Sequence, residues 1–252
     1  MAHIHLIPKE NYAIIQIDRE KSNPMNYELV AELRIALKSI QEDNDIKGAI
    51  LNGKENFFSA GLDIPELFTY DEKQFEKFWL NFMDLVADLI AFDKPLVASI
   101  TGHAPAGGCI LAIGCDYRVM AEGNFKIGLN EIPVGIIVPR GIFDLYSFWI
   151  GRKRAYQYLM EGKLYSPEHA MEIGLVDEVC PKELVLTQAE IQLKKYLQYN
   201  TNAWSQTKRQ LRFDLLESMH SISDFDMKIF QQQWWASETR AIMQGFIDKL
   251  KK

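Results

Sequence analysis

Little in this 252-residue sequence points to export, anchoring or a bound metal. No run of residues approaches the roughly 20 apolar positions that a membrane span requires. The opening MAHIHLIPKENY has neither the basic start nor the continuous apolar stretch of a secretory signal, so a soluble protein of the cytoplasm with no membrane partner is expected. Cysteine is scarce: Cys109, Cys115 and Cys180 form no CxxC pair, cannot all be bridged within one chain, and read as buried thiols. Positive charge is in deficit. A formal net charge of −6 argues against nucleic acid as the main partner, because phosphate binding rests on clustered Lys and Arg.

Familiar catalytic signatures are missing too. There is no GxGxxG after a strand, no GxxxxGK followed by Ser or Thr, no HExxH and no GxSxG, so nucleotide hydrolysis and zinc proteolysis lose their usual support. No metal or separate cofactor is expected. His3, His5, His103, His169 and His220 are scattered, and only His103 falls in a glycine-containing loop, where it reads as a hydrogen-bonding imidazole.

What is present is an alternation of strand and helix. Tyr12 to Asp18 suits a strand, and from Tyr27 to about Asp43 the residues Leu29, Val30, Leu33, Ala36, Leu37 and Ile40 recur at helical spacing behind a plausible N-cap, Asn26. Ile46 to Leu51 reads as a buried strand feeding a loop, Asn52 to Asp63. A second helix follows, marked by Phe75, Phe78, Trp79, Phe82, Met83, Val86, Leu89 and Ile90, and Pro95 then introduces the strand Leu96 to Ile100. Beyond a glycine-containing loop the pattern predicts a short helix near Gly108 to Gly114 and strands near Tyr117 to Met120, Phe125 to Ile127 and Leu175 to Val179. The last third is mostly helical. No sequence repeat or low-complexity linker is visible, so one compact domain with a helical C-terminal region is the simplest reading, taken as an α/β core over 1–190 and a helical region over 191–252.

Three segments could carry chemistry. Phe58-Ser59-Ala60-Gly61-Leu62-Asp63 and Gly102-His103-Ala104-Pro105-Ala106-Gly107-Gly108 each follow an apolar strand and place small residues where backbone N–H groups can approach a ligand. In the second, glycines precede a helical run, so the free N–H groups of a helix start would face an incoming oxygen. Either loop taken singly could be no more than a tight turn. The third segment, Ile127 to Pro139, sets Glu131 among apolar residues and turn formers; desolvation there would raise its pKa and suit it to carrying a proton, whereas a solvated loop glutamate would not be so tuned.

Together these segments resemble the enoyl-CoA hydratase/isomerase family, also called the crotonase family. FSAGLDI resembles its first oxyanion loop, GHAPAGGCILAIGCDYRVMAE its second loop with the following helix and strand, IGLNEIPVGIIVP its catalytic loop, and GKLYSPEHAMEIGLVDEV its helix-and-strand signature. The blocks fall in order, and the likeness weakens after about residue 190. It implies a crotonase-type spiral of repeated ββα units, a helical C-terminal region that forms trimers or a dimer of trimers, and acyl-CoA thioesters as substrates, with coenzyme A belonging to the substrate. By the same resemblance the oxyanion donors fall on the backbone N–H groups of Leu62 and Gly107, the acid/base on Glu131, and substrate contacts on Ser59, Ala60, Gly61, Asp63, Ile64, Gly108 and Ile110. Phe246 and Lys249 are candidates to reach the CoA adenine of a neighbouring subunit. Arg19, Lys21, Lys54, Lys94, Arg152, Lys249, Lys251 and Lys252 are candidates for the CoA phosphates.

One departure narrows the implied chemistry. Family hydratases use two glutamates, and the first falls on Ile110, whose side chain can neither orient water nor donate a proton. The pattern GLNE followed by GIIVP is most similar to the family's 3-enoyl-CoA to 2-enoyl-CoA isomerases. A hydratase, another crotonase-type lyase or decarboxylase, or an acyl-CoA-binding protein without turnover are the alternatives.

Overall fold

The computed structural model describes residues 2–221 and 224–250. The chain opens with an antiparallel pair, β1 (Ile4–Pro8) and β2 (Ala13–Ile17), and helix α1 (Tyr27–Glu42). Three ββα units follow. The first holds β3 (Ala49–Asn52), β4 (Asn56–Phe57), α2 (Ile64–Leu67) and α3 (Glu72–Ala91); the second holds β5 (Leu96–Ile100), β6 (Gly102–Pro105) and α4 (Gly107–Gly114). The third holds β7 (Tyr117–Ala121), β8 (Ile127–Gly128), a 3-10 turn (Ile132–Val134) and α5 (Arg140–Ile150). Next come α6 (Arg152–Glu161), α7 (Pro167–Glu172), β9 (Glu178–Cys180) and α8 (Val185–Tyr196). The described chain ends with α9 (Thr201–Leu211), α10 (Phe213–His220), α11 (Asp224–Trp235) and α12 (Ser237–Leu250).

In each unit the first strand joins a six-stranded sheet, order β1-β2-β3-β5-β7-β9, and the second joins a three-stranded one, order β4-β6-β8. Apart from the β1–β2 pair the strands run parallel. This is the α/β spiral of ββα units implied by the resemblance. A parallel sheet must be covered on both faces, which is why β3 and β5 are buried along their whole length. The apolar stripes of α1 and α3 lie on one side, in the main core with α4. On the other side Val185, Ala189 and Leu193 of α8 pack against Ile14, Ile50, Val97 and Val119.

The periodic residues of α1 and α3 are all buried, and Asn26 caps α1 by accepting from the Leu29 N–H at 3.0 Å. Strand ends differ from the sequence reading. The strand expected from Ile46 begins at Ala49, and the one expected over Leu175 to Val179 is β9, because the Leu175 N–H closes the end of α7 on Ala170 instead. β4 and β6 lie where loops were expected. They are short, and Gly102 and Pro105 bracket β6 with residues that weaken a strand signal. β1, an exposed edge strand with no buried alternation, gave no signal. The three cysteines are free and buried. Among the described residues no helix is long and apolar enough to cross a membrane, and no group of three or more His, Cys, Asp or Glu is placed to hold a metal.

Candidate active site

A cavity of about 260 Å³ opens where the first two ββα units meet the third. Its wall includes Ala60, Leu62 and Ile64 from the first loop, Pro105, Ala106, Gly107 and Ile110 from the second, and Asn130 and Glu131 from the third. Trp79, Phe82, Ile142, Met243 and Phe246 complete an apolar lining, and Glu131 is the one ionisable side chain in it among the described residues.

The two loops are held together by the Phe58 and Ser59 N–H groups, which both donate to the His103 carbonyl, and the first loop is also tied to Met25. The Met25 N–H donates to the Gly61 carbonyl at 2.8 Å and the Asp63 N–H to the Met25 carbonyl at 2.9 Å. That parallel bridge turns the Leu62 N–H to the opposite side, toward the start of α4. There a Cβ built on Gly107 would lie 3.5 Å from the Leu62 nitrogen and only 2.3 Å from the Met25 methyl. Among the described residues neither the Leu62 nor the Gly107 N–H meets a backbone acceptor. Ala106, in front of them, has φ +47, a strained conformation for a residue with a Cβ that costs on the order of 1–3 kcal/mol. Helix α4 is buried throughout, so the partial positive charge of its N-terminus sits in an apolar setting where it acts strongly on a nearby oxygen.

Glu131 leads into the 3-10 turn, its carbonyl accepting from the Val134 and Ile136 N–H groups at 3.0 Å each. Its side chain is 9% exposed, and Oε2 is buried without a hydrogen-bond partner among the described residues. Burial away from water pushes its pKa up to about 7, with a bond from its own backbone acting in the opposite direction. Burial likewise raises the Cys109 thiol far above its ordinary range, which leaves it inert as a nucleophile.

Six of the residues singled out from the sequence line this cavity: Leu62, Gly107, Glu131, Ala60, Ile64 and Ile110. Four stand behind the wall. Ser59 is fully buried, its hydroxyl donating to the Asn23 carbonyl at 2.7 Å and accepting from the Gly61 N–H at 3.1 Å. Gly61 carries φ +86. Asp63 caps α2 and accepts from Arg19 Nη1 at 2.6 Å, and Gly108 rests against the Ser59 carbonyl. His103 accepts from the Lys126 N–H through Nδ1 at 3.2 Å and packs between Phe57 and Phe125.

Several cations weighed for the CoA phosphates are engaged elsewhere. Arg19 is buried in bonds to Asp63, to Glu66 at 2.6 Å and to the Pro24 carbonyl. Lys94 donates to the Ile40 and Asp43 carbonyls, Lys54 pairs with Asp18, and Arg152 pairs with Asp144. Lys251 and Lys252 lie outside the described residues. Phe246 lines the cavity of its own chain. Sequence reasoning missed Asn23 and Arg19 as the struts of the first loop. Asn23 is buried at φ +50 and bonds both the Ile17 and Phe58 carbonyls, and asparagine in a charged turn was the signal that could have marked it.

The family model described as enoyl-CoA hydratase/isomerase matches residues 8–252. The chain belongs to the enoyl-CoA hydratase/isomerase family. Mitochondrial enoyl-CoA delta isomerase 1 of mouse is 32% identical over 95% of this chain and 84% of its own length. A probable mitochondrial enoyl-CoA hydratase of Dictyostelium discoideum is 28% identical over 96% and 86%. The crystal structure of human mitochondrial delta3-delta2-enoyl-CoA isomerase superposes with a TM-score of 0.95 at 29% identity, covering 99% of this chain and 98% of that one. Membership in this family makes the protein an enzyme with isomerase- or hydratase-type chemistry on an acyl-CoA thioester. The cytoplasmic location expected from the sequence does not stand, since the mouse, rat, human and Dictyostelium relatives are all named mitochondrial. Composition and charge do not separate the cytoplasm from an organelle.

Proposed function

We propose that this enzyme moves the double bond of a 3-enoyl-CoA to the 2-position, with Glu131 as the single acid/base. The observation that carries the reading is the isolation of Glu131: a buried carboxylate whose Oε2 has no hydrogen-bond partner among the described residues, in a cavity where Ile110 stands in the place of a second carboxylate. Glu131 takes a proton from the carbon next to the thioester carbonyl, and the electron pair moves onto the carbonyl oxygen to give a dienolate. The Leu62 and Gly107 N–H groups hold that oxygen. Glu131 then returns its proton two carbons further along, the electrons flow back, and a conjugated 2-enoyl thioester of unchanged composition results. Each N–H donor is worth about 2.7–4 kcal/mol in the transition state. Hydration would also require a water oriented and split between two carboxylates, and this wall holds one carboxylate among the described residues.

Every polar group in this chemistry lies within residues 1–190, while 191–252 add Met243 and Phe246 to the wall. Assembly as a homotrimer or dimer of trimers belongs to the same reading, supported by the exposed Leu211 and Phe213 where α9 meets α10.

The test is an ultraviolet assay with a medium-chain 3-enoyl-CoA. Conjugation should appear, and the 2-enoyl product, offered in turn, should not take up water; robust hydration would sink the reading. The pH profile has a definite sign. Glu131 must be ionised in the free enzyme to accept the first proton, so kcat/KM should rise with pH to a plateau with a midpoint near 7. A rate already at its plateau at pH 5 would remove Glu131 as the base.

A further inference from the structure

The wall of the Glu131 cavity is shared with a second cavity of about 290 Å³ between the end of α10 and α11. Trp79, Ile137, Val138 and Pro139 line both. Beyond them the second cavity has an apolar side formed by Met227, Ile229 and Phe230, and a polar side that includes Arg140 and Ser218. The dividing segment lies in neither helix nor strand, and among the described residues the Ile137 and Val138 amides donate to no backbone carbonyl. It is therefore a thin partition that no ladder holds rigid. Trp79, opposite it on α3, is backed by Phe230, with ring centroids 3.7 Å apart.

We infer that Trp79 and Val138 set the length of acyl tail this protein accepts. Short tails end in the Glu131 cavity, and longer ones pass between Trp79 and Val138 to lie along Met227 and Phe230. The inference rests on the reading of the first cavity as an acyl-CoA site. With the thioester oxygen at the Leu62 and Gly107 N–H groups and the reacting carbons at Glu131, what remains for the tail is the apolar wall of Trp79, Phe82, Val138 and Ile142. The Trp79 part of that wall has the cavity beside Phe230 behind it; Ile136, Ile137 and Val138 also border a cavity of about 480 Å³ on the side of α6, whose described lining does not include Trp79. A methylene held in an apolar pocket changes discrimination by roughly 10–200-fold, so removing bulk at the partition should be felt in the ranking of tail lengths.

The experiment measures dissociation constants of saturated butanoyl-, octanoyl- and dodecanoyl-CoA by calorimetry, and kcat/KM for 3-enoyl-CoAs of six, eight and twelve carbons. It compares the unaltered enzyme with Trp79→Ala, Trp79→Phe and Val138→Ala. Trp79→Ala and Val138→Ala should shift the dodecanoyl-to-butanoyl affinity ratio by about tenfold toward the longer chain. Trp79→Phe, which keeps a ring against Phe230, should shift it less. If Trp79→Ala fails to fold for want of that stack, Val138→Ala decides the matter. An unchanged ratio in a Val138→Ala protein that still binds and turns over would overturn the partition alone. A shifted ratio without turnover of any 3-enoyl-CoA would keep the partition and remove the isomerase reading.

Discussion

Replacing Glu131 by glutamine should lower kcat for double-bond migration by about 10²–10⁴-fold, the usual contribution of a positioned general acid/base, while leaving the fold intact. Glutamine keeps the volume and loses the transferable proton. The same substitution should make the protein more stable at alkaline pH. In the folded chain burial holds the Glu131 proton up to about 7, against about 4.5 for an ordinary glutamate, so the folded state binds that proton more tightly than the unfolded state. The resulting stabilisation is complete below pH 4.5 and is lost as pH rises through 7, where the fold carries a buried carboxylate at a cost of about 3 kcal/mol. Denaturation of both proteins at pH 5 and pH 8 checks this. The glutamine variant should gain relative to the parent between the two, by up to about 3 kcal/mol. Equal differences at both pH values would mean that Glu131 is not held neutral, and near-native isomerase activity would mean that it is not the base.

The parts of the fold that were legible in the sequence are those in which one face of an element is apolar and the other is not. Leu29 to Ile40 and Phe75 to Ile90 declare their helices because each has a core on one side only. The two glycine-containing loops of the site were legible by composition, since Gly61, Gly107 and Gly108 cluster after apolar strands. β4 pairs over only two residues, too few for a period-two signal, and the strand read at Phe125 to Ile127 is β8, shifted to Ile127–Gly128; that these join β6 in a second sheet showed only in three dimensions. The layering of the site was hidden for a related reason. Ser59 and Asp63 are separated in sequence from Ile64 by a few positions, yet their side chains turn inward to Asn23 and Arg19 while Ile64 faces the cavity. Arg19 read as a free cation because Asp63 and Glu66, which hold it, lie more than forty positions away.

The second large effect is expected at Gly108, which touches no part of the cavity. A methyl added there would sit 2.3 Å from the Ser59 carbonyl oxygen, and neither backbone has room to yield. Ser59 is tied to Asn23 through its hydroxyl, and its N–H and that of Phe58 both donate to the His103 carbonyl. Helix α4, carrying Gly108, is buried along its whole length. Gly108→Ala must therefore wedge apart the two segments that bring the Leu62 and Gly107 N–H groups to a common point. Overpacking of this kind costs about 1–3 kcal/mol of stability. The loss in rate should be larger in proportion, about 10²-fold in kcat, because a displacement near 1 Å is enough to misalign a preorganised pair of donors. The KM for the thioester should move much less, since the apolar wall of Trp79, Phe82 and Ile142 is left in place. Gly245→Ala is the control: an added methyl there meets nothing within 4 Å and should leave kcat unaltered. A folded Gly108→Ala enzyme with parental kcat would show that the convergence of those two N–H groups does not hold the dienolate, and the charge developing on the thioester oxygen would need another partner.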